Sequence, residues 1–156
     1  MLSNVHPVVA RTSGVYGYIE LQVDDDGGID VAAPHRAQLA LWVEDLDSGN
    51  DVRDLEMMRR LDVRTHPTIE WAVRDVARRT ATRYRGLCDV TVHGQTRSVE
   101  AEFTIGRTDG RLVVEGEQSF DMRDFGLVPP RFFWLWMEPE LTVRVRIVAR
   151  EVGVLT

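Results

Sequence analysis

Residues 99–105 have the sequence VEAEFTI, in which apolar and polar side chains alternate at every position. Successive side chains of a β-strand point to opposite faces, so this pattern predicts a strand with one apolar and one polar face. The same alternation recurs in residues 15–23, 38–44, 69–76 and 141–150, and less cleanly in 84–93 and 112–120. Turn-forming stretches separate these runs, so about seven strands predict an all-β, antiparallel sandwich or barrel.

One stretch, residues 51–61, has helical periodicity and places Leu55, Met58 and Leu61 along one side. Asn50 or Asp51 stands where an N-cap is favoured, with acidic groups in the first turn and arginines in the last. A single short helix is predicted here. The Pro67 that follows predicts a return to extended chain, because the residue before proline avoids helical geometry.

Length and composition favour one folded domain over residues 1–156, since 44% of the 156 residues are hydrophobic and 28% are charged. The net charge of −6 argues against nucleic acid or an anionic membrane surface as a partner. The chain starts without a secretory signal pattern, and no run of about 18 apolar residues occurs. We therefore expect a cytoplasmic protein without an integral membrane segment.

The sequence carries no motif typical of an enzyme, a metal site or a cofactor site. Cys88 shares strand parity with Val90 and Val92, which predicts an inward-pointing small hydrophobe rather than a nucleophile. His93 precedes a turn glycine and is predicted to be solvated, and His66 stands alone without a second ligand at metal spacing. We expect a non-enzymatic protein with no metal and no cofactor, although catalytic groups can also assemble from distant residues.

Residues 129–137, PPRFFWLWM, combine two prolines with six large apolar side chains and fit neither an alternating strand nor a one-sided helix. Such a segment has to be buried or has to form a patch for a ligand or a partner. Two interpretations stay open at this point: a loop that closes one end of the core, or a ligand lid or dimer face. The residues concerned are Phe132, Phe133, Trp134 and Trp136.

Four segments, in their order along residues 45–150, resemble the YceI-like, polyisoprenoid-binding family. Residues 48–61 followed by HPTIEW (66–71) are similar to that family's acidic loop, short helix and Pro-Thr-Ile strand. Residues 89–99, DVTVHGQTRSV, resemble its hairpin of the form D-L-T-I-H-G-x-T-x-x-V, and residues 119–127, SFDMRDFGL, resemble its R-x-D-F-G turn. The alternating strand 141–150 is the fourth segment. Only residues 1–13 precede the strand that begins near Gly14, so we expect the family's first strand to be missing or shortened here.

The resemblance implies a lipocalin-like antiparallel barrel of about seven strands that binds an isoprenoid or another long-chain lipid without catalysis. Small inward residues at Gly17, Ala101 and Gly116 leave room for such a chain. The predicted lining residues are Leu39, Leu41, Val43, Ile69, Trp71, Val73, Phe103 and Phe120, with Phe132, Phe133, Trp134 and Trp136 at the mouth. The alternative is a protein-interaction module with a filled core, which uses the same aromatic segment as a homodimer or partner interface.

Overall fold

The computed structural model describes residues 12–25, 28–127, 131–132, 135–136 and 140–150. One helix, α1 (Asp51–Arg60), lies between the second and third strands of this part of the chain. The strands are β1 (Tyr16–Glu20), β2 (Arg36–Trp42), β3 (Thr68–Arg78), β4 (Arg83–Val92), β5 (Gln95–Thr108), β6 (Arg111–Asp121), β7 (Arg131–Phe132), β8 (Leu135–Trp136) and β9 (Glu140–Ala149).

Seven strands form one sheet in the order β1-β2-β3-β4-β5-β6-β9, and every neighbouring pair is antiparallel. The sheet curls into a half-barrel, while β7 and β8 pair separately as a short ribbon. The prediction of an all-β, antiparallel, lipocalin-like fold with one short helix is confirmed. Within the described residues, no helix has the length and apolar character needed to span a bilayer.

The first predicted strand, residues 15–23, is divided in the structure. Strand β1 ends at Glu20, and Val23 instead forms an isolated antiparallel bridge with Ile29. The Asp24 amide donates to the Gly28 carbonyl at 2.9 Å, so the chain reverses within these few residues. The Asp- and Gly-rich composition of the turn explains the reversal, because these residues tolerate the backbone angles of tight turns.

Helix α1 begins as the sequence predicts. The Asn50 side chain accepts hydrogen bonds from the amides of Val52 (3.0 Å) and Arg53 (3.2 Å), which satisfies two of the unpaired donors at the helix start. The sequence analysis places Leu55 and Met58 on the same side of the helix. In the structure Met58 is half-buried, whereas 64% of the Leu55 surface is exposed. Helix α1 is therefore a surface helix that packs through only part of its apolar residues.

The outer face of the sheet carries a ladder of cross-strand ion pairs. Arg85 contacts Glu102 between β4 and β5 at 2.9 Å, and Arg144 contacts Glu117 between β6 and β9 at 2.8 Å. Exposed pairs of this kind contribute little free energy each, because water screens them. Their consequence is a polar outer face, which leaves the apolar side chains of the same strands on the other face.

Strand β3 contains a β-bulge between Arg74 and Ala77, with Asp75 at a φ of +55°. His35 stabilises the bulge, because its Nε2 accepts a hydrogen bond from the Val76 amide at 3.0 Å. The Nδ1 atom of the same ring lies 2.9 Å from the Ala33 carbonyl, which places the ring proton on Nδ1. The bulge shifts the pairing, so that Arg78 lies opposite Tyr84 near the end of the strand.

A small core forms where β6 ends. The Asp121 side chain accepts from the Arg123 amide at 2.9 Å and so starts a short 3-10 helix, Met122–Phe125, which Gly126 ends in the left-handed region at φ +71°. This turn brings Phe125 (4% exposed) against Cys88 and Val90. The segment Arg123-Asp124-Phe125-Gly126, which resembles the family's R-x-D-F-G turn, thus places one aromatic ring against the buried side chains of β4.

Replacing Phe125 by alanine should lower the free energy of unfolding by about 3–5 kcal/mol, because the change removes a buried ring and leaves a cavity. Urea denaturation followed by circular dichroism measures this. The control is Val52→Ala on helix α1, where 71% of the side chain is exposed and a change within about 0.5 kcal/mol is expected. A loss below about 1 kcal/mol for Phe125→Ala would contradict the assigned role.

Candidate ligand-binding face

Residues paired across neighbouring antiparallel strands share one side of the sheet, so the register assigns each side chain to a face. Leu39 of β2 pairs with Trp71 of β3, which in turn pairs with Val90 of β4, so these three side chains lie on the same side of the sheet. The inner face is defined by the apolar residues on that side. It includes seven predicted lining residues, namely Leu39, Leu41, Ile69, Trp71, Val73, Phe103 and Phe120.

Much of the inner face is only partly covered by other protein atoms. Leu39, Ile69, Trp71, Phe103 and Phe120 are all half-buried. Aliphatic and aromatic side chains in the middle of a filled core are normally buried almost completely. These side chains therefore keep part of their apolar surface accessible on one side of the half-barrel.

Two of the predicted lining residues differ from the rest. Leu41 is buried, and Val43 is 1% exposed in a short 3-10 helix, Val43–Asp45, beyond the end of β2. The Val43 amide donates to the Pro67 carbonyl at 2.9 Å, which ties the end of β2 to the start of β3. Both residues support the rim of the inner face and offer little surface to a ligand.

Small residues interrupt the large ones on the inner face. Gly116 of β6 lies between Phe103 and Val145 in the register, and a Cβ placed there would meet the Phe103 Cβ at 3.4 Å, an ordinary contact distance. Ala101 faces the same side on β5. Gly17 pairs with Leu39 on β1, where a Cβ would come within 2.0 Å of the Gln38 carbonyl oxygen. The inward placement of these three small residues agrees with the sequence analysis.

One end of the inner face is closed by the turn that contains Ile29. The Ile29 amide donates to the hydroxyl of Tyr84 at 3.1 Å, and Tyr84 is 1% exposed. Arg78 lies over the Tyr84 ring, 5.9 Å from its centroid, and pairs with Asp24 at 3.0 Å. The Tyr84 ring stacks on Phe103 with centroids 6.1 Å apart. This end of the half-barrel is therefore closely packed and carries polar groups.

The predicted mouth residues cannot be placed on this face. Phe133 and Trp134 lie outside the described residues. Phe132 and Trp136 belong to the β7–β8 ribbon by their backbone, and their side chains also lie outside the description. A lid or an interface made by this segment stays a prediction.

A second group of side chains lies at the opposite end of β4. His93 forms part of the β4–β5 turn, and its ring meets that of His66 edge to face with centroids 5.1 Å apart. The ligand atoms of Asp62, His66 and His93 all lie within 4.8 Å of one another. Sequence analysis treated both histidines as isolated. The spacing of four residues between Asp62 and His66 was the available signal, but His93 is brought to them only by the fold.

Cys88 points into the inner face, as its strand parity predicts, and it is buried. Burial raises the pKa of its thiol to about 11, with a further contribution from the negative charge of Asp89. The thiolate is the nucleophilic form of cysteine, so this thiol is held in its unreactive state near neutral pH.

A family model described as a YceI-like domain matches residues 3–149. Among curated proteins, none matches the chain significantly in sequence.

Solved structures share the fold at low sequence identity. Burkholderia cenocepacia BcnA superposes with a TM-score of 0.77 at 16% identity, over 94% of this chain and 90% of that one. A Campylobacter jejuni YceI protein gives 0.70 at 12% identity, over 95% and 88%. A polyisoprenoid-binding domain from Saccharophagus degradans, implicated in plant cell wall breakdown, gives 0.52 at 17% identity, over 59% of each chain.

The native protein should react with a thiol reagent such as iodoacetamide at pH 8 on the order of a hundredfold more slowly than the urea-unfolded chain. The expected factor follows from a pKa raised from 9.0 to about 11, and burial slows the reaction further. Mass spectrometry of the alkylated fraction gives a single-site rate, because the sequence has one cysteine. Equal rates for native and unfolded protein would place Cys88 at the surface instead.

Proposed function

The chain belongs to the YceI-like family, whose model matches residues 3–149, and from this premise we propose that it binds a long apolar isoprenoid-type lipid on its inner face. The protein would carry or sequester the lipid without changing it chemically. The similar polyisoprenoid-binding domain of Saccharophagus degradans supports this class of ligand. The cytoplasmic location remains a prediction within this proposal.

The observation that carries the proposal is the partial exposure of the inner face. Leu39, Ile69, Trp71, Phe103 and Phe120 keep accessible apolar surface although they share one concave side of the sheet. Exposed apolar surface is unfavourable in water, and a contiguous patch of it marks a binding site. An alkyl or prenyl chain lying along this side would remove both its own apolar surface and that of the protein from water.

The size of the effect is sufficient for useful affinity. Burial of a methylene group contributes about 0.8 kcal/mol, so about ten methylene equivalents contribute about 8 kcal/mol before the costs of ordering the ligand. This corresponds to a dissociation constant near 1 μM. A ligand enclosed over only part of its length would therefore bind measurably.

The chemistry of the inner face supports binding without catalysis. The thiol of Cys88, which faces this side, is held in its neutral form by a pKa raised to about 11. Gln118 faces the same side in the register, and its amide donates to the Ser119 carbonyl at 3.3 Å. Neither group is paired with a base that would activate it in the described contacts, as nucleophilic catalysis requires.

The alternative function, a partner-binding module with a filled core, predicts a different result. A filled core would bury the side chains of the inner face, whereas five of the large ones are half-buried. The aromatic interface of that alternative involves residues 132–137. Under it, Trp134→Asp should dissociate a homodimer, measured by light scattering after size exclusion, and added lipid should have no effect. An unchanged assembly state in that variant would remove the interface hypothesis.

The lipid proposal is tested by filling the inner face without changing the outer one. Gly116→Leu places a side chain among the apolar residues of the inner face, where the space for the new Cβ is adequate. We expect this variant to lose at least tenfold in affinity for geranylgeraniol, measured by quenching of tryptophan fluorescence, because Trp71 lies on that face. Native mass spectrometry of the wild type should also detect copurifying lipid.

The matched control is Gly106→Leu, the same change on the neighbouring strand β5. Gly106 lies on the outer side of the sheet by register, and a Cβ there would meet nothing within 4 Å. This variant should bind geranylgeraniol as the wild type does. If Gly116→Leu and Gly106→Leu bind equally, or if the wild type takes up no prenyl probe, the inner face is not the lipid site.

A further inference from the structure

The triad of Asp62, His66 and His93 lies beside the start of β3, at the end of β4 opposite to Tyr84. Asp62 follows helix α1, His66 precedes strand β3, and His93 stands in the turn between β4 and β5. Tyr84, at the closed end of the inner face, lies nine residues from His93 along β4. At about 3.3 Å per residue this separates the two ends by roughly 30 Å. The triad therefore has no part in closing the lipid site at that end.

The chemistry of the triad is that of a transition-metal site. Two imidazole nitrogens and one carboxylate oxygen are a ligand set that binds Zn²⁺ and related divalent ions, with a further position left for water. In the structure these three ligand atoms lie within 4.8 Å of one another. Tetrahedral coordination with bonds of about 2.0–2.1 Å requires ligand separations of about 3.3 Å. Small rotations of the three side chains would close that difference.

The backbone around the triad is fixed by several hydrogen bonds. The Asp62 carbonyl accepts from the amides of Thr65 (3.0 Å) and His66 (2.8 Å), which locks the spacing of the first two ligands. The Pro67 carbonyl accepts from Val43 at 2.9 Å and anchors the next residue to the end of β2. Ligands on a fixed frame lose little conformational entropy when a metal binds, which favours affinity.

The conformation of the β4–β5 turn brings the rings of His66 and His93 together. His93 has a φ of +53° and Gly94 a φ of +71°, the signs of a two-residue turn in which Asn-Gly is the usual sequence. A Cβ at position 94 would lie 2.7 Å from the His66 ring, so the absence of a side chain at Gly94 leaves space for the imidazole of His66. Histidine, like asparagine and aspartate, is enriched among residues with positive φ, so His93 fits the left-handed geometry of this turn.

From this arrangement we infer that Asp62, His66 and His93 form a binding site for one divalent transition-metal ion of the Zn²⁺ class. This inference differs from the expectation of no metal in the sequence analysis. It joins the end of α1, the start of β3 and the β4–β5 turn, so an ion there stabilises the connections between these elements. It is independent of the proposed lipid-binding function.

The test is calorimetric titration of ZnCl₂ into untagged full-length protein that has been stripped with a chelator. We expect one Zn²⁺ per chain. His93→Asn and His66→Gln should each weaken the association constant at least tenfold. Asparagine is chosen at position 93 because it favours the left-handed turn geometry, so the variant should retain the hairpin. Its folding is checked by circular dichroism.

Two control variants keep all three proposed ligands. Asp109→Asn changes the first residue of the β5–β6 turn, where φ is +52° and a glycine follows as at His93. His6→Gln removes a histidine outside the described residues. Both should bind Zn²⁺ as the wild type does, and so should the lipid-site variant Gly116→Leu.

A spectroscopic measurement makes the result independent of the variants. In long-range ¹H–¹⁵N spectra, Zn²⁺ should shift the ring nitrogens of two of the four histidines. Absence of stoichiometric binding overturns the inference, as does loss of binding in His6→Gln with retention in His93→Asn. Shifts at His35, whose ring is occupied by Val76 and Ala33, would likewise place the ion elsewhere.

Discussion

The structure depends on the antiparallel register that runs from β2 to β6 and on to β9. Because side chains alternate along a strand, this register sends every second residue to the same side, and a slip of one residue would turn the apolar set outward. The outer ion pairs, such as Arg144 with Glu117, fit only this alignment. The pairing therefore determines both the polarity of the surface and the existence of an apolar inner face.

Half-buried side chains contribute less to stability than fully buried ones, so other contacts have to stabilise the sheet. Five of the buried side chains in the described residues form two groups along the half-barrel. Tyr84 and Ile29 are packed at one end, and Phe125 is packed with Cys88 and Val90 towards the other. These contacts stabilise the sheet, while five large side chains of the inner face stay half-buried. Close packing and partial exposure are thus found at different residues of the same strands.

Irregular backbone contributes as much to the arrangement as the regular strands do. The bulge at Asp75, held by His35, shifts the pairing so that Arg78 lies opposite Tyr84 at the closed end. The left-handed turn at His93 and Gly94 carries the second histidine to His66. In both places a few residues with positive φ decide which side chains meet, because they change the direction of the chain within one or two positions.

Local sequence determined much of this protein. Alternation predicted the strands, Asn50 and its neighbours predicted the start of the helix, and parity placed Cys88, Trp71 and Phe103 on the inner face, because these features depend on neighbouring residues along one strand or helix. The YceI-like motifs were also recognisable. The local sequence pattern did not predict that Leu55 is exposed or that Val43 is buried. It also did not predict that large side chains of the inner face are only half-buried. It also did not contain the meeting of Asp62, His66 and His93. Only the tertiary structure decided these, because burial and side-chain proximity depend on which distant strands and turns come together.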